Sequence, residues 1–308
     1  MNWDSQYIRD LVAKALAEDV GSGDITAEAA IPIRAVVQAR IIAREPLICA
    51  GLPLAEQVFL ALDPRMRLER NASDGRRVEK GGELLHLSGN ARAILTGERT
   101  ALNFLARLSG IATLTNQFVQ AIAGTKAMIR DTRKTTPGLR LLEKYAVKTG
   151  GGTNHRIGLY DAILLKENHI ALAGGVKQAL DQAHSYAALH ARTHAATPYE
   201  EPGAPEAQKS VALPVQVEVR DERELREALE AGAESLLLDN MPPAEAARCV
   251  QIVRSIRPAC VVEISGGITL ANARTYAETG ADYLSSGMLT HSAPAANLSL
   301  LVDSIADK

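Results

Sequence analysis

The sequence predicts an α/β protein in two parts, a compact α+β unit followed by a barrel of repeated βα units. Three observations predict it. The first hundred residues mix amphipathic helix with short β-runs divided by Asp-Gly and Gly-Gly turns. Beyond Thr125, short apolar β-runs each close on a polar residue, and most lead into a helical stretch. No G-x-G-x-x-G follows a strand, which disfavours the dinucleotide-binding form of the rival architecture, an open doubly wound sheet.

Taken in order, Ile8, Leu11, Val12, Ala15 and Leu16 share one face of a helix over about residues 4–18. Acids in this segment, and the absence of a basic start before an apolar run, exclude a signal peptide. A Gly-rich turn follows at 20–24, then a β-rich run from Arg34 to Ala43, a helix near 52–62 and short strands within 66–88. From Arg92 to Ile122 the spacing turns helical, with a break expected at Ser109-Gly110 that divides a long helix from a second one. The β-runs of the second part are Ala127–Asp131, Ala162–Lys166, Val215–Val219, Leu236–Asp239, Val261–Ser265 and Asp282–Ser286. Helices are expected at 176–192, 222–231, 243–256 and 270–278, with Asp221 and Thr269 as N-caps and Gly232 and Gly280 as stops. The polar, Pro-bearing segment 193–213 reads as an exposed loop ahead of the strand bearing Glu218.

Composition removes several function classes. A formal net charge of −2, a pI near 6.4 and 4% aromatic residues argue against a nucleic-acid surface. No stretch approaches a membrane span. Cys49, Cys249 and Cys260 are odd in number and lack C-x-x-C spacing, so they read as small buried apolar residues of a chain in a reducing cytoplasm.

A parallel barrel gathers its chemistry at the C-terminal ends of its strands. Lys166, Glu218 and Asp239 would converge there. Successive strands that each end in a carboxylate suit Mg²⁺ shared with substrate phosphates or hydroxyls, while a structural salt bridge is the plain alternative for either acid alone. Ser265-Gly266-Gly267 and Ser285-Ser286-Gly287 follow the last two β-runs, where glycine lets backbone N–H groups close on an anion. The other half of a site comes from one block. Between Arg130 and Lys166 eight Lys or Arg stand against three acids, so the rest of the chain carries −7. Arg133 and Arg156 can grip carboxylate or phosphate through a planar fork, with Lys134 and Lys166 as point charges. Gly150-Gly151-Gly152 frees the backbone to deliver His155 and Arg156, although a hydrogen-bonded loop histidine is the plainer reading of His155.

Together these residues resemble the quinolinate phosphoribosyltransferase family. The resemblance covers nearly the whole chain: Glu18 to Thr26, Gly97-Glu98-Arg99-Thr100-Ala101-Leu102-Asn103, Asp131 to His169, Glu218-Val219, Leu238-Asp239-Asn240 and Ser265 to Ile268. It implies an N-terminal α+β sandwich (1–112), a C-terminal incomplete (β/α) barrel (113–290) and a tail (291–308) that packs on the first domain. It also implies a homodimer with shared sites. The implied reaction moves phosphoribose from 5-phosphoribosyl 1-pyrophosphate to quinolinate with loss of CO₂, giving nicotinate mononucleotide and pyrophosphate. By the same resemblance Arg133, His155, Arg156 and Lys166 face the quinolinate carboxylates, and Arg99 reaches in from the neighbour. Lys134 faces pyrophosphate with His291 near it, and Thr132 adds to the substrate contacts. Glu218 and Asp239 bind ribose hydroxyls and Mg²⁺, directly or through water. Ser265, Gly266, Gly267, Ser286 and Gly287 hold the 5-phosphate, and no organic cofactor is needed. Lys134, Lys166, Glu218 and Asp239 are the candidate catalytic groups.

Three rivals stay open on sequence alone. A pyrophosphorylase of the same fold could act on another acid; a Schiff-base barrel lyase would use Lys166 as nucleophile; a non-catalytic binding protein would have no need of paired acids beside paired glycine loops. The remaining charges of the block, Arg140, Lys144 and Lys148, read as helix surface or subunit contact.

Overall fold

The computed structural model describes residues 1–190 and 213–305. Helix α1 (Gln6–Val20) starts where the Ser5 side chain accepts from the Ile8 N–H and buries Ile8, Val12 and Leu16. Gly21, at φ 55°, ends it in a left-handed backbone conformation that favours glycine. Asp24 then caps a short helix missed in the sequence, α2 (Ile25–Ala30), by accepting from the Ala27 N–H. Strands β1 (Val36–Ala43) and β2 (Leu47–Ile48), helix α3 (Leu52–Leu62), and strands β3 (Arg67–Arg70), β4 (Arg77–Val78) and β5 (Glu83–Asn90) complete the first part.

Helix α4 (Ala91–Ala121) corrects one expectation: it runs 31 residues without a break. Ser109, buried, accepts from the Ala50 N–H and donates to its carbonyl, so its hydroxyl does not unwind the helix. A Cβ at Gly110 would fall 1.9 Å from the Pro294 carbonyl oxygen. Gly110 therefore admits a crossing chain; it does not stop a helix.

The second part alternates β6 (Met128–Arg130), α5 (Arg140–Thr149), β7 (Ile163–Leu165), α6 (Glu167–Ala173), α7 (Val176–Leu189), β8 (Val215–Val219), α8 (Glu222–Glu230), β9 (Ser235–Asp239), α9 (Pro243–Ile256), β10 (Val261–Ser265), α10 (Ala273–Ala277), β11 (Tyr283–Ser285) and α11 (Met288–His291). Six parallel strands form one sheet in the order β6-β11-β10-β9-β8-β7. The end strands β6 and β7 do not pair with each other among the described residues, yet loops following both line one cavity, so the sheet curls into an incomplete barrel. The last strand, β12 (Leu298–Ile305), returns to pair antiparallel with β1 in the sheet β12-β1-β5-β3.

Asp221 caps α8 as expected. Thr269 does not cap α10: the helix begins only at Ala273, and the Asn272 side chain folds back to accept from the Thr269 N–H at 2.7 Å and donate to the Gly267 carbonyl at 2.9 Å. The Gly-rich loop thus closes on a side chain, and anion affinity there must come from loop amides, not from a helix of five residues. The connection expected at 193–213 lies outside the described residues, save Leu213. No helix among the described residues is long and apolar enough to cross a membrane, and the three cysteines are buried thiols.

Candidate active site

Parallel registration sets the first half of the site. Ser265 pairs with Asp239 and with Ser285, and Glu218 stands beside Leu237, so neighbouring strands present their last inward side chains at one rim. Leu164 and Lys166, Leu237 and Asp239, and Glu263 and Ser265 all line one cavity of about 350 Å³, two residues apart on each strand. The Lys166 ammonium is ion-paired with the Glu218 carboxylate. Asp239 accepts from the Asn240 side-chain amide at 2.8 Å. Asn240 is the one described non-glycine residue at positive φ, 54°. It lies so close to Gly266 that a Cβ there would be 2.1 Å from its Oδ1. Gly266 (φ 96°) and Gly267 (φ 63°) give the backbone the left-handed turn that aims the loop at the cavity.

The second half comes from the loops between β6 and β7. Thr132, Arg133, Lys134, His155 and Arg156 line the opposite wall, and Ser286, Gly287 and His291 close the space between. Buried charges hold these loops. Asp131 is fully buried and accepts from the Lys144 ammonium and the His155 N–H, while the same ammonium donates to the His155 carbonyl. Burial pushes the Asp131 carboxyl up to about 6 and pushes the Lys144 ammonium down, so each ion is tolerable only beside the other. Arg140 reaches back to Thr135 and to the Ile157 and Arg133 carbonyls. Reading Lys144 and Arg140 as helix surface is thereby corrected: both face inward and staple the loops. Lys148 is exposed.

His155 is no spare cation. Its Nδ1 accepts from the Arg156 N–H at 2.7 Å, so in the neutral ring Nε2 carries the proton and faces the Glu263 carboxylate at 3.5 Å. Burial, helped by Arg130, Lys144 and Arg156 against the pull of Glu263, keeps its pKa below the ordinary value. Burial first, then the charge of Arg133, also lowers the Arg156 guanidinium. Arg156 donates to the Ala162 carbonyl at 2.9 Å, and the buried Arg133 Nε has no hydrogen-bond partner among the described residues. Two guanidiniums held close, one with an orphaned donor, make a site that lacks an anion.

The sequence reading missed Glu263. It is fully buried in the cavity floor and accepts from Arg130 at 2.9 Å, Gln216 at 3.1 Å and the Ser285 hydroxyl. Arg130 also stacks over Tyr283 at 3.3 Å, closing the floor beneath the wet rim. Parity was the available signal: Glu263 sits two residues before Ser265, a charge at the inward position of an otherwise apolar strand. Among the sequence candidates only Arg99 stands apart. It is exposed on α4 and outside the cavity lining of this single chain.

Family models described as the N-terminal and C-terminal domains of quinolinate phosphoribosyl transferase match residues 24–109 and residues 111–195 and 204–301. A nicotinate-nucleotide pyrophosphorylase [carboxylating] of Mycobacterium leprae is 44% identical over 290 residues, covering 92% of this chain and 93% of the relative. Quinolinate phosphoribosyltransferase [decarboxylating] 1b of Nicotiana tabacum is 38% identical over 96% of this chain and 82% of its own length. The solved nicotinate-nucleotide pyrophosphorylase of Francisella tularensis superposes with a TM-score of 0.85 at 39% identity, covering 96% of each chain.

Proposed function

The chain belongs to the quinolinate phosphoribosyltransferase family, and we propose that it transfers phosphoribose from 5-phosphoribosyl 1-pyrophosphate to the ring nitrogen of quinolinate with loss of CO₂, a step of NAD biosynthesis. The observation that carries this reading is the Arg133–Arg156 pair, two close guanidiniums that call for a carboxylate-bearing ligand at one wall. Across the cavity stand Glu218 and Asp239, with the two glycine loops beside them.

The division fits the chemistry. Departure of pyrophosphate leaves positive character at the anomeric carbon, and carboxylates fixed at strand ends stabilise charge developing there without reorganising. Arg133 and Arg156 orient the dicarboxylate, with the His155 Nε2–H a neutral donor nearby. Lys134 sits where a leaving anion would be met, and the amides of Gly266, Gly267 and Gly287 suit a phosphate. Once ribosylated, the pyridinium ring accepts the electrons released when the adjacent carboxylate departs as CO₂, so no covalent nucleophile is required. Lys166 acts here as an ion-paired electrostatic group, not as a Schiff-base amine.

Magnesium fits the donor set. No group of three or more His, Cys, Asp or Glu side chains that could cage a metal occurs among the described residues. Two carboxylates at one rim are the number that Mg²⁺ takes alongside substrate phosphates. Glu218 and Asp239 would hold the ion, which supplies charge neutralisation on the departing pyrophosphate.

We further propose a cytoplasmic homodimer in which Arg99 enters the partner's cavity. Supporting this, Arg99 is exposed and unused in its own chain, and α6, directly after Lys166, buries none of its residues and leaves Leu172 90% exposed.

The assay is purified protein with quinolinate, 5-phosphoribosyl 1-pyrophosphate and Mg²⁺, followed by nicotinate mononucleotide, pyrophosphate and CO₂. Equal turnover of nicotinate, or no product from quinolinate, rejects the reading. Heterodimers of Arg99→Ala and Lys166→Ala subunits should regain part of the activity; verified heterodimers that stay inactive reject sharing.

A further inference from the structure

We infer that Thr290 is a positioning residue for Lys134, through a buried clasp that joins α4, α5 and the loop after β11. The inference takes its ligand, the pyrophosphate-bearing substrate, from the function proposed above. Its geometry is independent of that reading.

Lys134 sits on an exposed loop, where a lysine has little reason to hold one place. Its main chain is nevertheless pinned from two sides. The Thr290 hydroxyl, fully buried, lies 2.7 Å from the Lys134 carbonyl oxygen and 3.1 Å from the Gly287 carbonyl oxygen, so its single proton is shared between the two loops. Two residues beyond Lys134, the Thr136 N–H donates at 3.0 Å and its hydroxyl at 2.8 Å to the two oxygens of Glu143, itself fully buried. Arg107, from α4, joins the two anchors. It donates to Glu143 at 2.8 Å, to the Ala293 carbonyl at 3.2 Å and to the Thr290 carbonyl.

The clasp fixes a narrow gap. A Cβ at Gly287 would lie 3.0 Å from the Lys134 Cδ and 2.9 Å from the His291 Nε2, so Lys134 and His291 flank this glycine in contact distance. Each is delivered by a loop end that the Thr290–Arg107 pair holds. None of the three clasp side chains lines the cavity, so Thr290 acts through the lysine and not on the substrate. Losing the hydroxyl should loosen the Lys134–His291 side of the cavity and leave the Arg133–Arg156 wall in place.

The test compares Thr290→Val, close to isosteric but without the hydroxyl, with Thr290→Ser, which keeps it. Calorimetry gives Kd for 5-phosphoribosyl 1-pyrophosphate with Mg²⁺ and for quinolinate, steady-state rates give both KM values, and thermal melts report folding. For Thr290→Val we expect Kd and KM for the phosphoribosyl donor to rise about fivefold, the size of one ordinary hydrogen bond. Quinolinate values should stay within about twofold and Thr290→Ser should match wild type, since neither loses a hydrogen bond. If Thr290→Val does not fold, Thr136→Val, which removes the hydroxyl facing Glu143, must give the same one-sided shift. Equal shifts for both substrates, no shift in a folded valine variant, or a serine variant no better than valine overturns the inference alone. A wild-type protein that does not bind the phosphoribosyl donor overturns the proposed function, and the inference with it.

Discussion

The two walls of the cavity are built on opposite plans. On the acidic wall Lys166, Glu218, Asp239 and Ser265 each follow or end a different strand, and backbone registration alone brings them together. The basic wall comes from loops within one stretch of chain, whose backbone is held by Asp131, Lys144, Glu143, Arg107 and Arg140. A ladder of backbone hydrogen bonds positions side chains without charge. Loops carrying several cations need buried counter-charges to hold one shape, and those counter-charges are expensive to break.

The sharpest way to break this contrast is Lys144→Met. It strands the Asp131 carboxylate in a site with no water access, and removing one member of a buried ion pair costs about 3–5 kcal/mol. Chemical unfolding at pH 7 should show a loss of that size, and Asp131→Asn combined with Lys144→Met should recover part of it. A loss below about 1 kcal/mol, the range of a surface pair, would mean that the loops hold themselves.

Next in size is Arg133→Met, which separates ligand binding from stability. Arg133 Nε has no partner and its charge already opposes that of Arg156. Losing it should lower kcat/KM for quinolinate by about 10- to 150-fold, the loss of one charge-assisted hydrogen bond at roughly 1.5–3 kcal/mol. The melting temperature should hold or rise. A fall in stability comparable to that of Lys144→Met would make Arg133 part of the frame and blur the contrast between walls.

Smaller again is the difference between two glycines. Gly287 has ordinary helical φ, −69°, and a methyl group there meets only the movable Lys134 and His291 side chains. Gly287→Ala should cost less than tenfold in kcat/KM, below about 1.4 kcal/mol. Gly266→Ala meets Asn240 at 2.1 Å and also forces an L-residue to φ 96°, so its loss should be clearly the larger. Equal losses would show that the loop after β10 is as soft as the one after β11.

The contrast also explains what the sequence disclosed. Strand-end polar residues were legible because period-2 alternation in an apolar run marks which side chains point inward, and β8, β9 and β10 begin or end within one residue of their expected limits. Glu263 obeyed the same parity and could have been found. The braces could not. Nothing in Arg140-Leu141-Leu142-Glu143-Lys144 tells an exposed helical lysine from a buried one, because burial there depends on where Asp131 and the His155 backbone arrive from other elements. Ser109-Gly110 misled for a related reason: a glycine that stops a helix and one that admits a neighbouring chain look alike until the neighbour, Pro294, is placed.

The smallest effect concerns His155 and has only a sign. Burial holds its pKa in the folded protein below 6.5, so on acidification the unfolded chain takes up the proton first. This contribution is therefore flat above pH 6.5 and destabilises the fold as pH falls below it. Asp131 opposes it: with a folded pKa of about 6 against 3.8 in the free chain, its carboxyl holds a proton that the unfolded chain has already released, so acid between pH 6 and 4 favours the fold. Comparing wild type with His155→Gln removes the carboxyl's share, since Asp131 is common to both. The denaturation midpoint of wild type should drop more between pH 7 and pH 5.5 than that of the variant. Protonation would also cost Nδ1 its bond from the Arg156 N–H, so the same acid step should weaken quinolinate binding by wild type. If the variant loses stability in parallel with wild type, His155 is not held neutral, and the basic wall owes one more of its charges to a histidine than its geometry indicates.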